Sequence, residues 1–270
     1  GGFFRVQMDL VALAGEGAYL FEHGVSHDYD SGPDAWQSGG WSNWMWFGTL
    51  TPNHRWSLDT GTLTGNPPVS AADLVGSRPM SVMSGPTHSS TGNTFLQQAF
   101  QYTAGPQHLI ATETTLAPSD FTLSAWVRLD SVPGSGHWAH PLGLGDQHNA
   151  TFYVPPYSST LYYKFNFWGG AAEWTAGTLQ TSVWAHVVVT YKQSTGVFDI
   201  WLNGTWQTMA TRCCGLNFGG ADAVLGLPDP VRWDNRWPGM VDEVMIFGYA
   251  LPGAGIQALY SWGSPPTAPN

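Results

Sequence analysis

The chain has 270 residues, only 10% of them charged, and its 33 Gly, 19 Pro and 15 Trp describe a turn-rich, aromatic protein rather than a helical one. A formal net charge of -10, with nine Lys and Arg in all, excludes a nucleic-acid partner, which needs clustered cations to neutralise phosphates. No apolar run reaches bilayer length, and residues 1–13 do not read as a leader because Arg5 and Asp9 interrupt them, so no membrane insertion is expected.

Phe4, Val6, Met8 and Leu10 alternate with Arg5, Gln7 and Asp9, the pattern of one half-buried strand. Residues 22–48 are polar and aromatic without a period of 2 or 3.6, which reads as a long ordered loop carrying Trp36, Trp41, Trp44 and Trp46. So many indoles are not left in water: they pack on the rest of the chain, stack on a sugar ring or dock on a neighbouring subunit. Residues 54–59 form the next strand, and residues 60–92, rich in Gly, Pro, Ser and Thr, read as a crossing dominated by loop with one strand. Strands follow at residues 94–102, 107–110, 120–128, 144–154 and 161–168.

Residues 183–206 are the clearest element. Trp184, His186, Val188 and Thr190 alternate with Ala185, Val187, Val189 and Tyr191, so both faces of this strand are fit to be covered. A polar turn ending at Gly196 leads to the alternating run 197–202 and then Asn203-Gly204, a hairpin signal because both residues tolerate positive φ. A strand begins at Ala223, residues 228–238 make a turn-rich loop with Trp233, Asp234 and Trp237, and the last strand covers residues 239–247. Ile256 to Tyr260 form a short helix, and residues 263–270 have the composition of a stiff, Pro-rich linker.

Four of these stretches occur in an order that resembles the laminin-G-like jelly roll of the concanavalin A-like lectin/glucanase sandwiches. They are His54-Arg55-Trp56-Ser57-Leu58-Asp59, the Phe121-Thr122-Leu123-Ser124-Ala125-Trp126-Val127 strand, the 183–206 hairpin, and Gly239-Met240-Val241-Asp242-Glu243-Val244 with the helix after it. The expected fold is therefore all-β, a two-sheet antiparallel jelly-roll sandwich over residues 54–262, preceded by an aromatic-rich N-terminal extension over residues 1–53.

The resemblance implies an extracellular or cell-surface binding or adhesion module that recognises glycans or proteins; the alternatives are a structural building block, joined to other copies or domains of one assembly, and a carbohydrate-active enzyme on the same fold. A non-catalytic role is expected because no Glu-x-Asp-x-Glu run offers two carboxyls on one strand face. Asp242 and Glu243 are adjacent and should point to opposite sides of a strand. Sandwiches of this kind frequently carry calcium, which takes several oxygen ligands. Either Asp59 and Asp242, on first and last strands, or Asp146 with Asp234 or Asn235, at the sandwich rim, would supply the carboxylates. Ring-lined sugar sites are sought at Tyr157, Trp168, Trp174, Trp233 and Trp237, each of which also suits the core. His186 is expected as a hydrogen-bonded core residue.

Cys213 and Cys214 are adjacent and have no third partner, so they pair with each other, pair with another chain or stay reduced. Their Cα atoms are about 3.8 Å apart, below the usual disulfide range, so an internal bridge forms a strained ring. Asn149 and Asn203 each begin an N-glycosylation triplet, which agrees with an extracellular setting.

Overall fold

The computed structural model describes residues 18–19, 49–59, 62–65, 68–83, 86–89, 99–102, 107–112, 120–144, 150–167, 170–211, 222–226 and 237–263. Outside the described residues lie the expected strand at residues 4–10, the docking candidates Trp36, Trp41, Trp44 and Trp46, and the rim set Asp146, Asp234 and Asn235. Trp168, Trp233, Asn149, Cys213 and Cys214 lie outside them too. The chain divides into two units, Gly1–Thr51 and Pro52–Asn270. In the first, β1 (Ala18–Tyr19) and β2 (Thr49–Leu50) form an antiparallel pair.

The second unit opens with β3 (His54–Trp56), β4 (Leu63–Thr64), β5 (Ser70–Ala71), β6 (Met80–Met83), β7 (Thr87–Ser89), β8 (Ala99–Tyr102) and β9 (His108–Ala111). It continues with β10 (Phe121–Leu129), β11 (Ala139–Leu144), β12 (Ala150–Val154), β13 (Thr160–Phe167) and β14 (Gly170–Thr178). β15 (Trp184–Lys192), β16 (Val197–Leu202), β17 (Thr205–Thr211), β18 (Ala223–Leu225), β19 (Gly239–Phe247) and helix α1 (Gly253–Gly263) complete it. One sheet has the order β17-β16-β15-β10-β19-β8-β7, with β3 also on β19. The other runs β14-β13-β12-β11-β18-β9-β6-β5-β4, and the pairings in both are antiparallel.

Alternation sends one face of each central strand into the space between the sheets. From the first sheet come Phe121, Leu123, Ala125 and Val127 of β10 with Val187, Val189 and Tyr191 of β15; from the second come Phe152 and Val154 of β12 with Leu161, Tyr163 and Phe165 of β13. Phe198 of β16 meets both sets, its ring centroid 4.4 Å from Tyr191 and 4.8 Å from Phe165. The turn between β16 and β17 has Asn203 at φ 51° and Gly204 at φ 69°, the two left-handed residues a tight hairpin needs. A Cβ at Gly204 would lie 2.9 Å from the Tyr260 ring, so α1 rests directly on this turn.

Two expectations are corrected. Residues 144–154 are not one strand: β11 ends at Leu144 and β12 begins at Ala150, the two pairing with each other. β11 contains Pro141 and Gly143, which weaken strands, and its register shifts between Ala139 and Leu142. Burial of its whole length between β12 and β18 outweighs that composition. β14 was hidden by its small residues, and the crossing at residues 60–92 holds β4 to β7 rather than a single strand.

Candidate functional site

Two groups of side chains on the outer faces of the sandwich have the chemistry of sites. The first lies on β19. Ser124 of β10 pairs with Met245 and Trp126 pairs with Asp242, so Ala125 opposes two residues, Glu243 and Val244. This is a β-bulge, and Glu243 sits in it at φ 45°. On the other edge of β19, β8 ends its pairing at Val241 and β3 begins at Val244, leaving Asp242 and Glu243 between the two.

The alternation behind the expectation that these neighbours point apart is therefore interrupted. The bulge breaks the two-residue alternation, and each carboxylate feels the charge of Asp59; Asp242 also feels that of Glu243. Arg55 on β3 grips Glu243 with two hydrogen bonds, Nε to Oε2 at 3.1 Å and Nη2 to Oε1 at 3.2 Å. The same guanidinium lies 4.7 Å from the centroid of the Trp262 ring on α1. Asp242 is 1% exposed; its Oδ1 accepts the Glu243 backbone N–H at 2.8 Å, and its Oδ2 is buried with no hydrogen-bond partner. Burial above all, then the charges of Glu243 and Asp59, hold the Asp242 carboxyl well above the usual range against the pull of the Glu243 N–H and Arg55. Burial also raises Glu243, although Arg55 opposes it. Leu58, just before Asp59, has φ 58°. A non-glycine residue in that region costs about 1–2 kcal/mol, so strain is stored beside both aspartates.

An orphaned, buried carboxylate oxygen beside a second carboxylate is donor chemistry that suits a hard cation such as calcium. Among the described residues no three His, Cys, Asp or Glu side chains converge. The remaining ligands of an ion held by Asp59 and Asp242 would then be other oxygens, such as backbone carbonyls or water.

The second group lies on the outer face of the other sheet. Tyr153 of β12 and Tyr162 of β13 are cross-strand partners, their rings stacked at 5.4 Å and 14°. Trp138, in the loop before β11, leans on Tyr153 at 5.2 Å, and His140 lies 5.7 Å from the same ring. The Tyr153 hydroxyl donates to Glu173 Oε2 of β14 at 2.9 Å. Burial first, then this carboxylate, raises the phenol, which keeps its proton and its role as donor. Lys164 Nζ lies 4.0 Å from Glu173 Oε1. Trp138 is 43% and Tyr157 75% exposed, and the Tyr157 N–H donates to Pro133 O at 2.8 Å, tying its loop to the loop of Trp138. Tyr157 also has φ 57°.

The other sequence candidates fall elsewhere. Trp237 is fully buried in the core and donates Nε1 to Met240 O, so it is not a ligand contact. Trp174 packs inward against the core, 6.1 Å from Phe198. Asn203 is exposed in its turn, with Oδ1 accepting the His186 N–H at 2.9 Å. His186 is buried between Trp126 and Tyr260, its Nε2 hydrogen-bonded to Ser124 Oγ at 2.8 Å, and burial pushes it down to about 3. Trp138, Tyr153 and Tyr162 were missed. Their strands alternate aromatic with aromatic, so hydropathy does not separate outer rings from core rings; an exposed-loop Trp just before a strand was the available signal.

A laminin G family model, described as the concanavalin A-like lectin/glucanases superfamily, matches residues 103–257. No curated protein matches the sequence. Among solved structures, the sialidase of Trypanosoma rangeli in complex with sialic acid is 15% identical, with a TM-score of 0.61 over 79% of this chain and 33% of that one. The binding domain of Paraclostridial Mosquitocidal Protein 1 is 14% identical, with a TM-score of 0.60 over 78% of this chain and 52% of that one. At such identities the likeness is one of fold, and the chain spans a third of the sialidase and half of the toxin domain. The expectation of a chain that is not an enzyme is corrected: the fold is shared with sialidases, which are enzymes, and with glucanases. The bulge also removes the argument that Asp242 and Glu243 cannot act together.

Proposed function

Since the chain belongs to the concanavalin A-like lectin/glucanases superfamily, we propose that it is a carbohydrate-recognising domain whose ligand lies against Trp138, Tyr157 and Tyr162 on the outer face of the second sheet. The fold is of a carbohydrate-binding or glycosidase type, and the observation that carries the specific site is the Trp138–Tyr153–Tyr162 ring cluster with Glu173 fixed at its edge. Sugar C–H faces stack on rings while hydroxyls need fixed acceptors and donors, and this face supplies both. Calcium is the proposed ion at Asp59 and Asp242, where it would neutralise the carboxylates and tie β3 to β19. An extracellular or cell-surface setting fits these two proposals, with glycans or glycosylated proteins as partners.

A second reading, glycoside cleavage, is favoured by Asp242, a carboxyl that burial and the charge of its neighbour Glu243 shift towards the protonated form. Both readings are tested together by a glycan array on the purified chain and a hydrolysis assay on the glycans it binds. Binding that is lost in Trp138→Ala with the fold intact supports the first; turnover lost in Asp242→Asn supports the second; a blank array with no turnover rejects both.

A further inference from the structure

We infer that the outer face of the second sheet selects neutral glycans and rejects sialylated or uronate-bearing ones. This rests on the carbohydrate reading and adds the class of sugar. The argument is one of charge and of pinned hydrogen-bonding groups. Glu173 is the acceptor at the edge of the ring stack: Tyr153 holds Oε2, and its side chain is 46% exposed, leaving lone pairs for sugar hydroxyls. Lys164 is the matching donor, 31% exposed and 4.0 Å from Oε1. A carboxylate and an ammonium this close cancel each other's field, and a polyol, which both donates and accepts, is complementary to such a pair.

An anionic sugar is not. It brings a carboxylate next to Glu173, and its counter-charge would have to be a cation that has no other commitment, ideally a planar guanidinium able to grip both oxygens. Lys164 already answers Glu173. Among the described residues, Arg55 and Arg128 belong to the first sheet, where they bind Glu243 and Asp130, Lys192 ends β15 of that sheet, and Arg78 precedes β6, towards the other end of the second sheet. The whole chain adds to this through its net charge of -10, which repels anions at long range. Ring stacking, by contrast, is indifferent to sugar charge and rewards a pyranose with an unbroken C–H face. Trp138 and Tyr162 both border the buried Tyr153 ring, Trp138 tilted 54° to it and Tyr162 stacked on it, so the rings that receive the sugar are those of Trp138 and Tyr162.

The test is titration calorimetry of the chain against cellohexaose, a galactose oligomer, sialyllactose and an oligogalacturonate, at low and at high salt. The expected result is binding to a neutral oligomer at least tenfold tighter than to either acidic one, unchanged by salt, and weakened at least tenfold in Trp138→Ala and in Glu173→Ala. Thermal unfolding accompanies each variant. Should Trp138→Ala melt early, Tyr157→Ala, altered at a loop ring that is three-quarters exposed, takes its place. Salt-sensitive binding of only the acidic oligomers, still dependent on the same rings, overturns the inference and leaves the carbohydrate reading standing. Binding of none of the four by a folded chain, together with a blank array, overturns both.

Discussion

Replacing Asp242 by Asn tests whether the orphaned carboxylate oxygen is a cation ligand. Without metal, burial and the charges of Glu243 and Asp59 raise the Asp242 carboxyl well above the usual range and so favour its neutral form, which Asn resembles. The two side chains have nearly the same shape, and the change costs the metal-free protein about 1 kcal/mol or less, the net worth of one altered hydrogen bond. With calcium the difference is large. A ligand at a hundred times its dissociation constant stabilises the state that binds it by about 2.7 kcal/mol. For a unit of this size each kcal/mol moves Tm by about 2–4 °C, so chelation should lower the native Tm by about 5–11 °C. Differential scanning fluorimetry in excess calcium and in excess chelator reads this directly. Asp242→Asn should unfold near the chelated native protein in both buffers. The reasoning is refuted if chelation leaves the native Tm unchanged, or lowers that of the variant by as much.

His186 makes stability depend on pH with the opposite sign to Asp242. Its folded pKa, about 3, lies below the ordinary histidine value of 6.5, so its contribution is present above the unfolded pKa and is lost as pH falls towards 3, by about 1.4 kcal/mol per unit. Asp242 has a raised folded pKa, so its contribution is present below 3.8 and disappears as pH rises through the folded value. Denaturant melts of metal-free His186→Gln against the native chain between pH 6.5 and 4 should differ in slope by about one proton; equal slopes would reject the buried neutral imidazole. Gly204→Ala should lose about 1–2 kcal/mol or more, since the new methyl meets Tyr260 in a left-handed residue; an unchanged urea midpoint would show that the turn relaxes freely. Trp237→Ala should cost about 3–5 kcal/mol by emptying the core, while the folded fraction keeps its affinity for any glycan; a loss of affinity without a loss of stability would restore Trp237 as a ligand contact.

The fold was legible wherever one face of a strand had to be apolar and a turn had to hold special backbone angles. Phe121 to Leu129 and Trp184 to Lys192 pair in the register their alternation requires, Ala125 opposite Val187, and Asn203-Gly204 forms the expected turn. β11 and β14 were not legible, because Pro141, Gly143 and the Gly-Ala run of β14 carry no strand propensity and are held by their neighbours. Of the site, the adjacency of first and last strands is seen in the pairing of β3 with β19, and the charge of Asp59 reaches Asp242. What could not be read was the bulge at Glu243, since a one-residue shift against β10 leaves no mark in composition.

That bulge and the outer aromatic stack share a cause. The space between the sheets is filled: Phe198, Phe165, Tyr163, Phe152 and Tyr191 are all buried against one another or their neighbours. Among the described residues, room for a ligand between the sheets would have to be made by displacing packed side chains, and each methylene removed from a close-packed core is felt in stability. The outer faces carry no such cost, although alternation ordinarily places solvated side chains there. The rings of Trp138 and Tyr157 contradict that ordinary placement, being large, apolar and in water, and Tyr157 does so in a backbone conformation that itself costs energy. Neither expense serves the core. On the first sheet the corresponding departure is a charge rather than a ring: Asp242 is buried with half its carboxyl unanswered, where a threonine or valine would fit the strand at less cost.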